Sequence, residues 1–484
     1  MNARTSIVIV GGGIAGLAAA WELSGAQNGP TTRTPRIEVI ESSSHFGGSL
    51  RRTVFAQRTV DLGPDGFLAR RSEAVTLARE VGLGEDLVPV GASGASIWLR
   101  GALEELPAGL ALGVPTSAAS IKKMRGLTRS SRWAAWRDEH APRTMKLSED
   151  VSIGAILRRK LGSELTYQLI EPMVGGIQAG RVDELSAEAV FPSLFAAAQR
   201  GGSLMKALRA DAAPAANMGE AAQRALGPLF MSLRGGVGSL AEELVRQLGE
   251  RGVVLRHGAE VSALRPTPSG SYPWEVDTAD TATGASAIIL ATPAPTAGRL
   301  CRALGEDLGA LTSVNSAGAA MITFVFDDAD TTLPATGTGV LIPLATAWHD
   351  DVMMTTAVTF LDRKWEHLRR DGEVLLRAHV GRIDDRRYEA LSDEALTQRV
   401  RDELATVLGR VGTPLAARVQ RWPQGLPQYY VGHTQLVARA RATLAPYPLR
   451  LAGSPYDGVG IPASIGSGRR AAREVAALVG ADSP

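Results

Sequence analysis

The sequence predicts an α/β fold of the Rossmann type, joined to an α+β domain and to a mainly helical domain. Three observations lead to this prediction: a glycine-rich strand–turn–helix near the N-terminus, a second strand that ends in an acidic residue, and segments of similar character that return near residues 230 and 450. Strands that alternate with helices favour a parallel sheet. The predicted nucleotide-binding domain is therefore discontinuous, because distant segments of the chain contribute to it.

The N-terminal motif is IVIVGGGIAG, in which four β-branched residues precede the pattern G-x-G-x-x-G. Residues 7–10 are predicted to form a buried strand, and residues 14–23 the helix that follows it. Gly11 permits the tight turn, Gly13 lets the backbone approach a pyrophosphate, and Gly16 lets the helix pack against the strand. The amide groups at the start of this helix would hold the phosphates.

A second predicted strand, residues 37–40, ends in Glu41. A carboxylate at this position can accept hydrogen bonds from ribose hydroxyls. Glu41 lies further along the chain than the usual ~20 residues, because a Gly/Pro/Thr-rich loop, residues 24–36, intervenes. The turn Gly47-Gly48 that follows is typical of FAD proteins of the glutathione-reductase type, with an ordinary glycine turn as the alternative.

Length and composition exclude several classes of protein. The 484 residues suffice for two or three domains, and the net charge of +2 gives no reason to expect a nucleic-acid partner. The single cysteine, Cys301, excludes an internal disulfide and a cysteine-ligated metal cluster, and it suits a reducing compartment. No later apolar run reaches the ~20 residues of a membrane span. For residues 1–20, a secretory signal is the alternative to the nucleotide-binding motif, but glycines interrupt the apolar run that such a signal needs.

Two segments place cations beside glycine turns or aromatic residues. In DLGPDGFLARR, Arg70 and Arg71 follow a turn and could bind carboxylates, with a solvated pair as the alternative. From about residue 117 to Lys146 the pattern turns helical and basic, with Trp133 and Trp136 interleaved. This face could contact an anionic membrane surface, and a solvated basic face is the other interpretation.

Glycines and capping residues give further local predictions. Gly175, Gly176 and Gly180 are expected to break a helical segment and to let a ligand approach. Ser239 and Glu242 form a capping-box pattern, which predicts a helix from about residue 240.

Further strands and helices are predicted along the chain. A hairpin is expected over residues 97–106. A helix predicted from Ile461 could direct its N-terminus at a flavin, with a plain C-terminal helix as the alternative. The other predicted elements are strands at 253–256, 261–264, 288–293, 320–326, 355–360 and 449–453, and a helix at 393–408.

Six segments, spread over nearly the whole chain, resemble the oxygen-dependent porphyrinogen oxidases of the monoamine-oxidase-like flavoprotein superfamily, which act on protoporphyrinogen or coproporphyrinogen III. GPDGFLAR, MVGGI-AG and LPQY-VGH are the more specific ones. The segments are GGGIAGL (11–17), GPDGFLARR (63–71), EPMVGGIQAG (171–180), ATP (291–293), LPQYYVGH (426–433) and GVGIP (458–462).

The resemblance implies a Rossmann-like FAD-binding domain of the glutathione-reductase/monoamine-oxidase type, which binds FAD non-covalently. It also implies an α+β substrate-binding domain and a helical domain. The expected boundaries are 1–75, 230–300 and 440–484 for the FAD-binding domain, 76–115 and 301–439 for the substrate-binding domain, and 116–229 for the helical domain.

The resemblance also implies roles for single residues. Arg71, with Arg70 beside it, would bind a substrate propionate. Ser49 stands where many relatives carry Arg or Lys, so an ionic phosphate contact is lost there, and Gln178 stands where an aromatic residue is common. The implied cofactor contacts are Gly11, Gly12, Gly13, Ile14, Ala15, Gly16, Glu41, Ser42, Gly48, Ser49, Leu50, Gly63, Pro64, Asp65, Gly66, Val261, Trp422, Val459, Gly460 and Ile461.

The implied activity is the six-electron oxidation of coproporphyrinogen III to coproporphyrin III in haem biosynthesis, with O2 as acceptor and H2O2 as product. The arginine pair favours this substrate, which carries four propionates, over protoporphyrinogen IX with two. The chemistry would be the flavin's, so no general base and no metal ligand is named.

Other functions and partners stay open at this point. An amine oxidase, a carotenoid-type desaturase, and a non-catalytic scaffold that delivers porphyrin to a ferrochelatase are the alternatives. A cytoplasmic location is expected. A peripheral contact at the inner face of the membrane, a ferrochelatase partner and a homodimer are left open.

Overall fold

The computed structural model describes residues 4–25, 35–92, 94–145, 147–216, 228–268 and 270–481. Its first layer is a five-stranded, wholly parallel sheet. Segments that are distant in the chain meet in this sheet, which confirms the predicted discontinuous Rossmann-like fold. In spatial order its strands are Val254–Arg256, Arg36–Ile40, Ser6–Val10, Ala287–Leu290 and Leu449–Leu451.

Both faces of this sheet are covered, which explains why its strands are continuous apolar runs. Ile7 and Ile9 face a core shared with four helices, whereas Val8 and Val10 face a second core. The first core includes helices Ile14–Gly25, Ser72–Glu80, Gly238–Glu250 and Ile461–Ala481. The second includes helices Ala294–Cys301 and His433–Leu444 and the antiparallel strands Val261–Pro266, Trp274–Thr278 and Ala282–Ala285.

A seven-stranded sheet forms the second main layer. All of its neighbouring strands are antiparallel except Gly339–Leu341 and Ser96–Leu99, which run parallel. Helix Asp393–Leu408 packs on this sheet, and the Ser392 side chain caps it by accepting a hydrogen bond from the Ala395 amide. In order, the strands are Ala416–Pro427, Ser316–Asp327, Glu373–Val380, Thr355–Phe360, Gly339–Leu341, Ser96–Leu99 and Ala102–Glu105.

The segment between residues 116 and 229 is mainly helical where the structure describes it. The predicted basic helix begins only at Arg129, because Thr128 caps it by accepting a hydrogen bond from the Ser131 amide. Lys146, and residues 26–34 of the predicted loop, lie outside the described residues. The helices are Arg129–His140, Ile153–Leu161, the π-helical turn Leu165–Ile170, Glu171–Gln178, Ala187–Val190, Pro192–Arg200 and Leu204–Ala216.

Short elements connect these layers. Among the helices that the structure describes, none is long and apolar enough to cross a membrane. The short strands are Arg52–Phe55, Arg58–Asp61, Phe67–Leu68, Leu87–Pro89, Leu110–Ala111, Val114–Pro115, Phe230–Leu233, Ala347–Trp348 and Asp351–Val352, and the short helices are Gly84–Asp86, Arg302–Leu304, Glu306–Gly309, Ala310–Ser313, Asp328–Asp330, Leu361–Lys364, Glu366–Leu368, Arg387–Ala390 and Ser454–Asp457.

The prediction that glycines break the helical segment is wrong for Gly175 and Gly176, whereas the helix does end just before Gly180. Gly175 and Gly176 lie inside helix Glu171–Gln178, and the chain turns only at Ala179, whose φ is 50°. A helix supported by burial of its apolar face tolerates internal glycines, because tertiary packing outweighs their low helix propensity.

The predicted capping box is also wrong. The helix begins at Gly238, and the Ser239 hydroxyl donates to the Gly236 carbonyl at 2.6 Å instead of capping. The cap comes from Asp61, whose carboxylate accepts from the Val237 and Gly238 amides at 2.9 Å each. A cap from so distant a residue leaves no local sequence pattern.

The first and last described helices lie unusually close together. A Cβ atom added to Gly468, in helix Ile461–Ala481, would lie 2.0 Å from the carbonyl oxygen of Ala15, in helix Ile14–Gly25. No side chain fits at that distance, so the glycine is required by the packing of the two helices.

Gly468→Ala is expected to destabilise the protein, although alanine usually stabilises a helix by about 1 kcal/mol relative to glycine. The added methyl group would force the helices apart, and overpacking of this kind costs about 1–3 kcal/mol. Thermal unfolding monitored by circular dichroism should therefore give a lower Tm.

Gly480→Ala in the same helix is the matched control, because a Cβ atom there meets nothing within 4 Å. Its Tm should equal or slightly exceed that of the wild type. A Gly468→Ala protein as stable as the wild type would contradict the close helix contact.

Candidate functional site

The two glycine turns of the N-terminal region lie side by side. The Gly47 amide donates to the Gly12 carbonyl at 2.8 Å, and Gly13 forms an isolated parallel bridge with Gly47. A Cβ atom on Gly13 would meet nothing within 4 Å, whereas one on Gly16 would lie 2.0 Å from the Gly11 carbonyl oxygen. The space beside Gly16 is thus filled by the protein, whereas the space beside Gly13 is empty. This open backbone at a helix N-terminus fits the approach of a pyrophosphate.

Glu41 is held over the same turn. Its carboxylate accepts hydrogen bonds from the Gly12 amide at 2.7 Å and from the Ser43 amide at 2.8 Å, and the Ser42 hydroxyl lies 3.4 Å away. The Ala259 amide donates to the Glu41 carbonyl at 2.9 Å. This bond brings the strand that begins at the buried Val261 close to Glu41, so both residues predicted to contact the adenosine half lie in one region.

The turn with the sequence GPDG lies against Ser49. A Cβ atom on Gly63 would lie 2.2 Å from the Ser49 carbonyl oxygen, and the neighbouring Leu50 is buried. Trp422 donates from its indole nitrogen to the Leu62 carbonyl at 3.0 Å. The structure therefore brings together residues 49–50, 63–66 and Trp422, which the sequence places far apart.

Asp65 anchors this turn to the second layer. Its carboxylate accepts from Lys364 Nζ at 2.9 Å and from the Trp365 indole at 3.1 Å, and its carbonyl accepts from the Ser232 hydroxyl at 2.7 Å. Burial opposes ionisation of Asp65, but the charges of Lys364 and Arg377 outweigh it and hold the pKa of Asp65 well below its ordinary value. The side chain of Asp65 thus stabilises the turn, and its carboxylate is bound by other residues of the protein.

For two other groups beside this turn, burial is the dominant effect and shifts the pKa towards the neutral form. It raises the pKa of Asp61 to about 6, although the Gly238 and Val237 amides donate to the carboxylate. Burial, with the charge of Arg377 added, lowers the pKa of His379 to about 4. The imidazole of His379 is therefore neutral near pH 7.

The predicted contact at Val459, Gly460 and Ile461 lies where a loop enters the helix Ile461–Ala481. Gly460 has a φ of 116°, and a Cβ atom on it would meet nothing within 4 Å. The first helical amides have no partners within the helix, so this end can accept an anionic or electron-rich group.

Residues of the segment LPQYYVGH hold this loop in place. The Tyr429 hydroxyl donates to the Ser454 carbonyl, and His433 Nε2 lies 2.9 Å from the Pro455 carbonyl oxygen. Burial lowers the pKa of His433, and the imidazole stacks on the Tyr429 ring. The segment is therefore a support for the loop, a role that its sequence alone did not reveal.

Asp457 fixes the other side of the loop. It pairs with Arg441 at 2.7 Å and with Arg470 at 2.8 Å, and the Ser467 hydroxyl also donates to it. Burial opposes ionisation, but the hydrogen bonds from Ser467 and Arg441 outweigh it and hold the pKa of Asp457 below its ordinary value. Sequence reasoning missed this aspartate, because its partners lie on two separate helices.

Arg70 and Arg71 both lie exposed before helix Ser72–Glu80. Arg71 pairs with Glu73 at 3.0 Å, and a Cβ atom on Gly466 would lie 3.3 Å from the same Glu73 oxygen. The pair is thus next to the second turn of the helix that begins at Ile461. Neither arginine lines the cavity of about 860 Å³ that the structure contains near Gly91, Asp328, Arg363 and Glu373.

Gln178 is buried at the end of its helix. Its backbone carbonyl accepts from the Gln428 side chain at 2.7 Å, and its own Oε1 has no hydrogen-bond partner among the described residues. The turn after it is fixed by Arg181, which pairs with Glu171 and with Asp384, both at 2.9 Å. This segment therefore joins the helical part of the chain to the seven-stranded sheet.

A parallel sheet with a glycine-rich first turn, joined to a large mixed sheet, indicates a dinucleotide-binding protein of the Rossmann type. The family model for flavin containing amine oxidoreductases matches residues 14–476, so the chain belongs to this family. Membership of the family indicates a flavin cofactor.

Three proteins illustrate the similarity over nearly full length. Coproporphyrinogen III oxidase of Bacillus subtilis is 31% identical over 477 residues, which are 97% of this chain and 97% of that protein. Coproporphyrinogen III oxidase of Mycobacterium leprae is 32% identical, covering 98% and 99%. Human protoporphyrinogen oxidase is 30% identical over 492 residues, covering 97% and 98%.

Solved structures agree with the fold. A crystal structure of a protein from Exiguobacterium sp. 255-15 superposes with a TM-score of 0.83 at 30% identity, covering 99% of this chain and 100% of that one. Cyclohexylamine oxidase from Brevibacterium oxydans superposes with a TM-score of 0.65 at 14% identity, covering 99% and 100%, which shows the shared fold alone.

Proposed function

We propose that this protein binds FAD non-covalently and oxidises coproporphyrinogen III to coproporphyrin III. The observation that carries the proposal is the near-complete alignment, at about 30% identity, with relatives named coproporphyrinogen III oxidase. In the balanced reaction the substrate loses six electrons and six hydrogens, and three O2 molecules are reduced to three H2O2. Protoporphyrinogen IX is the alternative substrate, because human protoporphyrinogen oxidase is 30% identical over 97% of this chain.

The residues present fit an FAD molecule. The open backbone at Gly13 and the adjacent Gly48 suit a pyrophosphate, and Glu41 is oriented by two amides so that its remaining lone pairs suit ribose hydroxyls. Bound FAD would supply the two-electron acceptor of each oxidation round. The helix start at Ile461 would stabilise negative charge on the ring.

The rest of the protein would orient the substrate and exclude water from it. We propose that Arg71 binds a propionate, because its guanidinium is exposed beside the predicted flavin-facing helix and can form paired hydrogen bonds with a carboxylate. Arg71 already donates to one carboxylate, that of Glu73, at 3.0 Å, which supports a similar contact with a substrate propionate. A tetracarboxylate substrate offers more such contacts than a dicarboxylate.

The purified holoprotein, mixed in air with coproporphyrinogen III, is expected to produce coproporphyrin fluorescence and H2O2 in a ratio of one porphyrin to three peroxides. Mass spectrometry of the products from an equimolar mixture with protoporphyrinogen IX should show coproporphyrin in excess. Absence of both porphyrins would refute the proposed activity, and protoporphyrin in excess would reverse the choice of substrate.

Arg71→Ala is expected to raise KM for coproporphyrinogen about tenfold and to leave the FAD dissociation constant unchanged, because one charge-assisted hydrogen-bonded contact is lost. Steady-state kinetics and flavin titration measure the two quantities.

Arg79→Ala is the matched control, because Arg79 is an exposed arginine in the last turn of helix Ser72–Glu80, at the opposite end from Arg71. Its KM should equal that of the wild type. Equal KM values for Arg71→Ala and the wild type would remove Arg71 from the substrate site.

We also propose a peripheral contact with an anionic membrane surface. Trp133 and Trp136 are 56% and 49% exposed, although large aromatic side chains are usually buried. We call them, with the exposed cations that flank them in the sequence, the tryptophan patch. Amphipathic aromatic rings and cations are the groups that favour a charged lipid interface. The cations of the patch are Lys122, Lys123, Arg125, Arg129 and Arg143.

Trp133→Ala/Trp136→Ala is expected to reduce co-sedimentation with vesicles that contain phosphatidylglycerol. Vesicles of phosphatidylcholine alone should bind neither protein. Leu415→Ala, which removes an exposed apolar residue outside the tryptophan patch, is the control and should bind like the wild type. Equal sedimentation of the double variant and the wild type would exclude this contact.

A further inference from the structure

Three consecutive backbone carbonyls in the predicted flavin turn are held by side chains of the seven-stranded sheet. Arg377 donates from Nη1 to the Gly63 carbonyl at 3.0 Å and from Nη2 to the Asp61 carbonyl. Trp422 donates to the Leu62 carbonyl between them at 3.0 Å. The orientation of these peptide groups is therefore set from outside the turn.

The same turn also has backbone amide groups without an acceptor. The amide groups of Gly63 and Gly66 donate to no acceptor among the described residues, and Pro64 has no amide proton. The Asp65 carbonyl accepts from the Ser232 hydroxyl. Because the carbonyls are bound on the protein side, the free amide protons are left for a group outside the protein.

Arg377 itself is an unusual residue for a sheet interior. It is only 2% exposed, its Nε donates to the Thr323 hydroxyl at 3.2 Å, and it forms no ion pair among the described residues. The nearby Asp61 carboxylate is bound by helix amides and the Asp65 carboxylate by Lys364. A buried guanidinium without a direct counterion is costly, and simple sheet packing does not require one.

We propose that Arg377 is a positioning residue for the flavin. It holds the carbonyls of Asp61 and Gly63 so that the amide groups of the turn face the isoalloxazine ring, and it keeps a buried positive charge beside that ring. The inference deepens the proposed function and rests on its FAD site. It requires no particular substrate, since it concerns how firmly the flavin is bound and how easily it is reduced.

The test uses Arg377→Met, which keeps most of the side-chain volume but removes the charge and the donors. Titration of the apoprotein with FAD should show at least tenfold weaker binding. The reduction potential of the bound flavin should fall, because a positive charge that favours the reduced, more negative flavin is lost. Arg377→Lys should recover most of the potential and little of the affinity, since lysine retains the charge but cannot hold two carbonyls in one plane.

Arg58→Met is the matched control. Arg58 is also a buried arginine, and its side chain binds the Leu368 carbonyl and the Glu373 carboxylate, but it forms no hydrogen bond or ion pair with residues 61–66. Its variant should lower the Tm while FAD affinity and potential stay at wild-type values. Thr323→Val, which removes only the hydroxyl that orients Arg377, should weaken FAD binding to an intermediate degree.

Wild-type FAD affinity and potential in Arg377→Met would overturn the inference, and so would equal losses in Arg58→Met. If Arg377→Met does not fold, Arg377→Lys and Thr323→Val give the same readouts, and unchanged flavin properties in both would overturn it. These measurements use no porphyrinogen. A wild-type protein that binds FAD but oxidises no porphyrinogen would refute the proposed substrate and leave this inference standing.

Discussion

The hydrogen bonds between Arg377, Trp422 and the backbone at residues 61–63 join the two main layers of the molecule. Side chains of the seven-stranded sheet hold the turn, and the turn lies against Ser49 and the glycine-rich region. The seven-stranded sheet would therefore help to position an isoalloxazine ring bound at this turn, because its side chains fix the backbone that the ring would contact. Arg377 is buried and Trp422 is half-buried, so water has limited access to compete for the carbonyls.

A similar arrangement supports the loop before the last helix. The side chains of Tyr429 and His433 form hydrogen bonds to backbone carbonyls of this loop. Asp457, in the loop, forms ion pairs with Arg441 and Arg470. Both proposed flavin contacts are thus presented by backbone whose polar groups are bound elsewhere. A site built this way keeps its shape without depending on the ligand, which reduces the ordering cost of binding.

The sequence predicts best what depends on neighbouring residues. The pattern around Gly11, Gly13 and Gly16 predicted the strand, turn and helix, because each glycine acts within a few residues of itself. The cap at Gly238 was predicted wrongly, since its acceptor is Asp61, far away in the chain. Arg377 was missed for the same reason: it lies in an ordinary apolar strand, and only the tertiary structure reveals the carbonyls that it meets. The roles of the predicted cofactor and substrate residues stay predictions.

The close contact of Gly468 with Ala15 has a consequence for how the chain folds as it leaves the ribosome. The central strand Ser6–Val10 is synthesised early, whereas the edge strand Leu449–Leu451, which pairs with Ala287–Leu290, and the helix Ile461–Ala481, which packs on the sheet, are synthesised more than 400 residues later. Domains made of contiguous segments fold in order during translation, whereas this one must wait until its distant C-terminal segments have been synthesised. The nascent N-terminal half therefore exposes apolar surface until residues 449–481 are available to cover it.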